Sequence, residues 1–442
     1  MTRRTTFLLS AAALAIAGAA GREAYARSSP PRDAASAGMV VASGFTERDL
    51  RDVQIRVWQQ ALAADSGSAV AMANLAALHN QRAREGGSWD DYLKAEQYAR
   101  HSLAIRTNRN GPAAVTLVAT LLAQHRFPEA RDVATQLVAD DPYVPQYRSM
   151  LGEVAMELGD WKTAHDMLDP LWHDRAILSI APRLARWSEL NGHGADARAL
   201  LDSARDEAIS RTDVPSETKA WFEFRSGDLA LRTGRLRNAE RSFRAGLAIE
   251  PADPRLLAAM ARLSANRGDP KAAIEWGERA VAVQLDPGTL GVVGDAYTAI
   301  GDTAKATEYF QTMEVAVTAQ PGPFHRAWSL YLLDHGLRVS EVLAKSRAEL
   351  SERHDIYGYD ITAWALHRSQ LDRAAIVLMG GALQLGTPDP MLWYHDGMIA
   401  RALGANTRAK ESLHKALDLN DHWHPTQPAE ARAVLDSIAR GR

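Results

Sequence analysis

Cysteine is missing from the 442-residue chain. Its absence excludes disulfide bonds, a thiolate nucleophile and a lipid anchor on an N-terminal cysteine. Strand patterning is missing as well, because no sustained alternation of β-branched and polar residues occurs. The packing of helices alone must therefore hold the fold together.

Catalytic motifs are lacking too. The sequence contains no GxSxG, no HExxH, no phosphate-binding loop and no GxGxxG that opens a helix after a strand. We therefore predict a protein that is not an enzyme and that needs no cofactor.

The best candidate for a metal site is His422-Trp423-His424, with Asp421 beside it. Two imidazoles two residues apart can share an ion, but no Cys or HxxxH partner is close in sequence. The competing interpretation is a turn after the last repeat, in which Trp423 covers the end of the core. We favour the turn and predict no metal site.

Long apolar runs are scarce, and the clearest one lies at the N-terminus. Residues 7–20 are apolar but short for a membrane span, and they follow the basic pair Arg3-Arg4. Ala24-Tyr25-Ala26 has the small-x-small form of a cleavage site, and Ala17-Gly18-Ala19 is a second candidate. This pattern predicts a signal peptide over residues 1–26, by the general secretory or the twin-arginine route, and a periplasmic or secreted protein. The alternative is an uncleaved membrane anchor.

Charge of one sign is not in large excess. The formal net charge is −3, and removal of residues 1–26 would bring it to about −5. This balance argues against nucleic acid or an anionic membrane surface as the main partner, and we predict no membrane insertion after signal removal. Residues 27–44 are rich in Ser, Pro, Ala and Gly, so we predict a flexible leader over residues 27–48.

What the sequence does contain is a repeat. A small residue recurs at intervals near 34, at Ala95, Ala130, Ala164, Ala197, Ala239, Ala273, Ala306, Ala375 and Ala409. A fixed period of this size predicts an array of supersecondary units rather than one globular core. The long gap before Ala375 predicts one degenerate unit, with Glu341 near the place of its anchor residue.

Each unit has a helical pattern on both sides of a break. In the best copy, segments 221–232 and 236–249 carry apolar residues at helical spacing. Gly234 lies between them, as glycine does after the C-terminus of a helix. Gly227 and Ala239 are small, so the two helices of the unit can approach closely.

These residues resemble the tetratricopeptide repeat family over roughly residues 50–425. The resemblance implies an all-α, right-handed superhelical solenoid of about ten antiparallel helix pairs. We predict a signal peptide over 1–26, a leader over 27–48, a repeat array over 49–425 and a capping helix over 426–442.

The family resemblance also implies a concave groove, lined by the first helix of each pair, that binds protein partners. The offset from the small residue of each first helix predicts a polar inner surface along the array. Six of its residues are predicted to bind the partner: Arg262, Asp295, Trp364, His367, Tyr394 and Arg401. Their mixed charges and aromatic rings suit an extended peptide or a partner helix. Trp364 and Tyr394 are expected to face solvent as anchors of that interface.

The function expected from these features is that of a non-catalytic interaction or scaffold protein of the bacterial cell envelope. Its partner is a protein or peptide of unknown identity. The alternative is a periplasmic module that assists the export of polysaccharide or another polymer, together with an outer-membrane partner.

Overall fold

A computed structural model of the protein describes residues 46–86, 89–319 and 326–441. The predicted signal peptide, and the predicted leader up to residue 45, lie outside these residues. Within the described residues every regular element is a helix and no strand is present. The predicted all-α class is therefore confirmed.

Twenty-two α-helices follow one another along the described chain. Helix α1, Glu47–Ala64, comes first, and α22, Gln427–Ala439, comes last. Between them lie ten pairs: α2 Ala69–Arg84 with α3 Trp89–Ile105, α4 Gly111–Ala123 with α5 Phe127–Asp140, α6 Pro145–Leu158 with α7 Trp161–Leu168, α8 Ala181–Leu190 with α9 Gly194–Ser210, α10 Ser216–Arg232 with α11 Leu236–Ile249, α12 Pro254–Asn266 with α13 Pro270–Val283, α14 Pro287–Ala299 with α15 Thr303–Ala319, α16 Arg326–Asp334 with α17 Val339–Leu350, α18 Ile356–Arg368 with α19 Asp372–Ala382, and α20 Pro390–Ala402 with α21 Asn406–Leu419. A short 3₁₀ helix, Asp169–Asp174, follows α7. The repeated helix pairs form the predicted solenoid.

Several helices begin at an Asp-Pro step. The side chains of Asp253, Asp286 and Asp389 each accept a hydrogen bond from a backbone N–H in the first turn of the helix that follows. Proline at the first helical position needs no N–H partner and has its φ already set, while aspartate satisfies an N–H that the helix itself leaves unpaired. These steps fix where α12, α14 and α20 start.

The two helices of a pair touch through small residues. The alanine that marks the 34-residue period is the fourth residue of most second helices, and Ala130, Ala164 and Ala239 are fully buried there. A Cβ on the glycine of the first helix would lie only 2.3–2.6 Å from a side chain of the second, in the contacts Gly152–Leu168, Gly227–Phe243, Gly294–Phe310 and Gly397–Leu413. The close approach predicted at Gly227 and Ala239 is therefore confirmed.

The degenerate unit has an anchor of a different kind. Glu341, which was predicted to lie near the anchor position, has a side chain that is 39% exposed. The fourth residue of α17 is Val342, and it is fully buried. The prediction missed the position by one residue because the larger Val replaces the Ala that marks the other units.

The final helix α22 covers the end of the last pair. Ala431 and Ile438 are buried against the core, and Val434 and Leu435 pack there partly buried. The apolar stripe of α22 therefore lies against α20 and α21. No helix of the described residues is both long and apolar enough to cross a membrane.

The chain from Val53 onward is one compact unit. Within this unit, later helix pairs of the solenoid contact earlier ones. The backbone N–H of His354 donates to the carbonyl of Leu158 at 2.9 Å. Thr387 Oγ1 donates to the carbonyl of Leu190 over a separation of 197 residues, and Asn420 Nδ2 donates to that of Leu231 over 189. Each bond joins the end of a first helix to the segment six pairs further along. We call this line of three contacts the seam.

Candidate functional site: a cavity inside the coil

The first helices of the pairs surround a cavity of about 1300 Å³. Its wall includes residues of α10, α12, α14, α16, α18, α20 and α22, so that it runs along most of one turn of the coil. The cavity is therefore the structural counterpart of the groove that the sequence predicts.

Five of the six predicted groove residues line this cavity. They are Arg262, Asp295, Trp364, His367 and Tyr394. They come from α12, α14, α18 and α20, which are the first helices of four different pairs. The spacing from the small residue of each first helix thus identified residues that are distant in sequence and line the same cavity.

Arg401 does not belong to this set. It lies near the C-terminus of α20, where its guanidinium donates to Asn406 Oδ1 at 2.8 Å and contacts Ser437 Oγ at 3.5 Å. It is not among the residues of the cavity wall. The prediction was wrong because seven residues beyond Tyr394, two turns along the same helix, the side chain has reached the edge of the array next to α22.

The expectation that Trp364 and Tyr394 face solvent was also wrong. Their side chains are only 4% and 2% exposed. The Trp364 ring stacks on His395 at 4.1 Å and on His367 at 4.8 Å between ring centroids. His395 of the neighbouring first helix α20 and His367 of α18 itself therefore stack on the Trp364 ring and bury it.

Polar atoms of these two rings orient carboxylates in the cavity wall. Trp364 Nε1 donates to Asp334 Oδ1 at 2.9 Å, and the Tyr394 hydroxyl donates to Glu430 Oε2 at 2.7 Å. Burial, followed by the bond to Glu430, raises the pKa of Tyr394, so the hydroxyl stays a donor at neutral pH. Both aromatic residues therefore act as supports for the wall.

An ion pair at the same end of the cavity connects two pairs of helices. His335 Nε2 lies 3.1 Å from Asp295 Oδ1. The hydrogen bond to Asp295 raises the pKa of His335 above its ordinary value of 6.5, although partial burial opposes the shift. The positively charged imidazolium form of His335 is thus favoured beside the carboxylates of the cavity wall.

Arginines with carboxylate partners also line the cavity. Asp228 accepts from Arg232 Nε at 3.0 Å and from Arg262 Nη2 at 3.1 Å. Arg232 also pairs with Glu189 of α8. Burial lowers the pKa of Arg232 to about 10, which still leaves it charged at neutral pH. The wall therefore presents charges of both signs, most of them held by partners.

A buried His–Asp pair beside the cavity was not predicted. His395 Nδ1 lies 2.6 Å from Asp360 Oδ1, and both side chains are 0% exposed. Burial opposes ionisation of Asp360, but His395 and Arg326 together lower its pKa. The only sequence signal was a histidine on the apolar face of α20, which by itself is typical of an ordinary core residue.

The segment His422-Trp423-His424 forms a turn before α22. His422 Nδ1 lies 2.6 Å from Asp421 Oδ1, and Trp423 Nε1 donates to Gln427 Oε1 at 2.7 Å. Trp423 packs partly buried against the core, next to Tyr394. Among the described residues, no group of three or more His, Cys, Asp or Glu side chains is arranged to hold a metal ion.

A polar cluster at residues 354–360 begins a first helix. Asp355 accepts hydrogen bonds from the backbone of Tyr357 at 2.9 Å and of Gly358 at 3.4 Å. This is the capping geometry that aspartate favours at a helix N-terminus. The cluster therefore starts α18, and its Asp360 continues into the buried pair with His395.

No protein-family profile and no curated protein matches the sequence. In fold, the chain resembles a tetratricopeptide-repeat array. Ten helix pairs and a glycine contact that recurs in four of them confirm the predicted resemblance at the level of the repeat.

Two solved structures are similar to this chain over long stretches. One is the APC/C hetero-tetramer Cut9–Hcn1, with 12% identity and a TM-score of 0.34 over 90% of this chain and 97% of that one. The other is a tetratricopeptide repeat protein from Parabacteroides merdae, with 15% identity and a TM-score of 0.35 over 59% of this chain and 97% of that one. At these TM-scores neither likeness bears on function.

Proposed function

We propose that this chain is a non-catalytic interaction protein that holds a segment of a partner protein inside the cavity. The observation that carries the proposal is the cavity itself. Its volume of about 1300 Å³ exceeds the roughly 300–1,000 Å³ of small-molecule pockets. A stretch of polypeptide is the occupant that such a volume favours.

The chemistry of the wall supports a polypeptide occupant. Arg262 and Asp295, whose side chains are 43% and 45% exposed, carry opposite charges into the cavity. His367 and the aromatic residues Trp364 and Tyr394 add hydrogen-bonding and apolar surface. A peptide offers backbone amides and side chains of either sign to such a mixed wall.

The proposed location is the bacterial cell envelope. It rests on the signal-peptide pattern of residues 1–26, which predicts a mature protein that begins near Arg27. N-terminal sequencing of the protein from its native fraction tests this part. An intact Met1 on membrane-bound material would contradict it.

Site-specific photo-crosslinking tests the function. A photoreactive residue replaces Ala258, which lies in the cavity wall, or Val377, which is 73% exposed on α19. After irradiation in envelope extract, we expect a protein adduct from position 258 and none of the same mass from position 377. Equal adducts at both positions, or none at 258, would contradict the proposal.

Charge variants then show which wall residues contact the partner. Arg262→Ala combined with Asp295→Ala should reduce the adduct at position 258 several-fold and leave helix content unchanged, because partly exposed ion pairs contribute little to stability. A carbohydrate adduct at position 258 would instead favour the polymer-export alternative.

A further inference from the structure

Glycine residues lie at the seam, and glycines at the same position in other repeat units provide a comparison within the chain. Gly159, Gly192 and Gly234 follow first helices with φ of 75°, 82° and 72°. A Cβ on Gly159 would lie 2.3 Å from the backbone of His354, and one on Gly234 would lie 3.2 Å from Asn420. Gly268 and Gly301 have the same conformation at the same place in their units, but nothing lies within 4 Å of them. The close contacts of Gly159 and Gly234 therefore result from their place at the seam, and not from the glycine turn that these units share.

The seam is built differently from the helix pairs. Pairs interlock through buried apolar side chains, such as Phe243 against Gly227. Across the seam, the contacts that recur are single hydrogen bonds to the last carbonyls of first helices, including Thr387 Oγ1 to Leu190. A hydrogen bond contributes far less than an apolar interface of a whole helix. One apolar cluster also spans the seam, with Leu184 and Ile356 among its members, but no two helices of the described residues pack along each other across it as the helices of a pair do. The seam is therefore the smaller interface, and it can part while every pair stays folded.

A cluster around Arg353 adds charge to one end of the seam. Arg353 Nε donates to the carbonyl of Glu157 at 2.9 Å, and its guanidinium lies 2.6 Å from Asp355 Oδ2 and 3.2 Å from Glu349 Oε1. Glu157 belongs to α6, whereas Glu349 lies in α17 and Arg353 and Asp355 lie between α17 and α18. This end of the seam thus depends on the orientation of one arginine.

The seam also forms part of the cavity wall. Leu231 and Asn420, which are hydrogen-bonded across it, both line the cavity, as does the cap residue Asp389 next to the Thr387 contact. Separation of the two turns would therefore open the wall from the side. A segment in the middle of a partner chain could then enter without being threaded from an end.

We propose that the seam is a releasable gate, along which two turns of the coil part to admit a polypeptide and then close around it. The gate rests on the cavity, on the three seam contacts and on the polypeptide occupant of the proposed function.

Access of a large reagent to the cavity wall tests the gate. Because the chain has no cysteine, Ala258→Cys places a single thiol in the wall. Its reaction with a maleimide-linked polyethylene glycol polymer reports opening, and its reaction with N-ethylmaleimide shows that the thiol is reactive. Gly159→Ala and Thr387→Val weaken the seam, and Gly268→Ala is the matched control for glycine loss.

We expect Thr387→Val to speed the reaction with the polymer by about tenfold, because one hydrogen bond is removed from the closed state. Gly159→Ala should speed it further, and Gly268→Ala should not change it. Circular dichroism should show the same helix content in all variants. Equal polymer rates with an intact and a weakened seam, or an equal effect of Gly268→Ala, would overturn the gate. Neither result would affect the photo-crosslinking outcome at position 258, so the two proposals fail separately.

Discussion

At the scale of single residues, buried aromatic rings hold the charged wall of the cavity in place. Trp364 stacks between two histidines and donates to Asp334. Tyr394 is buried beside it and donates to Glu430. The rings supply stability, and the carboxylates that they orient supply the surface that a partner would meet.

Replacement of Trp364 tests this division of roles. Trp364→Ala should destabilise the fold by about 3–5 kcal/mol, since a large buried ring leaves a cavity. Trp364→Phe keeps an aromatic face but loses the Nε1 donor and part of the ring volume, so its cost should be smaller, about 1–3 kcal/mol. Urea denaturation followed by circular dichroism measures both changes, and a small effect of Trp364→Ala would show that the ring is not part of the core.

The pair formed by His335 and Asp295 predicts a pH dependence. Because the folded state raises the pKa of His335, the pair stabilises the fold at pH values below 6.5, and this contribution is lost as the pH rises through the raised value. The effect on stability should be small, since both side chains are more than a third exposed. NMR titration of the imidazole should give a pKa above 6.5 that falls in Asp295→Asn. An unchanged value in Asp295→Asn would refute the pair.

The sequence allowed residues to be assigned to the cavity wall, but it did not allow the burial of their side chains to be predicted. The spacing within α18 and α20 predicts that Trp364 and Tyr394 point toward the inner side, and they do line the cavity. Their exposure depends on rings from the neighbouring helix, such as His395 on Trp364. Spacing within one helix carries no information about that contact.

At the scale of elements, close packing of two helices is the unit of the fold. The period of 34 and the positions of glycine and alanine predict this packing, because small residues are needed wherever two helix backbones approach. Val342 shows the limit of the rule, since a larger residue takes the anchor place in α17 and stays buried. Its partner helix must leave room that no local pattern reveals.

Two helical glycines should respond to alanine in opposite directions. At Gly397 a Cβ would lie 2.6 Å from Leu413 Cγ, whereas at Gly380 nothing lies within 4 Å. Gly397→Ala should therefore destabilise by about 1–3 kcal/mol through overpacking. Gly380→Ala should stabilise by about 0.5–1 kcal/mol, because alanine favours a helix more than glycine does. Thermal melts of the two variants decide the matter, and changes of the same sign would contradict the packing described for the pairs.

At the scale of the whole repeat array, the coil closes on itself. Leu158, Leu190 and Leu231 each give a helix-terminal carbonyl to a donor nearly 200 residues later. Helix-terminal carbonyls need partners, and here the following turn of the coil provides them. No sequence pattern predicts this closure, because it depends on how small rotations between successive pairs add up over six of them.

The closure of the coil is the central claim, and a distance measured across the seam tests it most directly. Lys162→Cys on α7 and Glu352→Cys ahead of α18 place one spin label on each side of the Leu158–His354 contact, in a chain with no other cysteine. Pulsed electron spin resonance should give one narrow, short distance distribution that broadens and lengthens when Gly159→Ala is added and stays the same with Gly268→Ala. A broad, long distribution in the chain with an intact seam would show that the coil is open and would contradict the account.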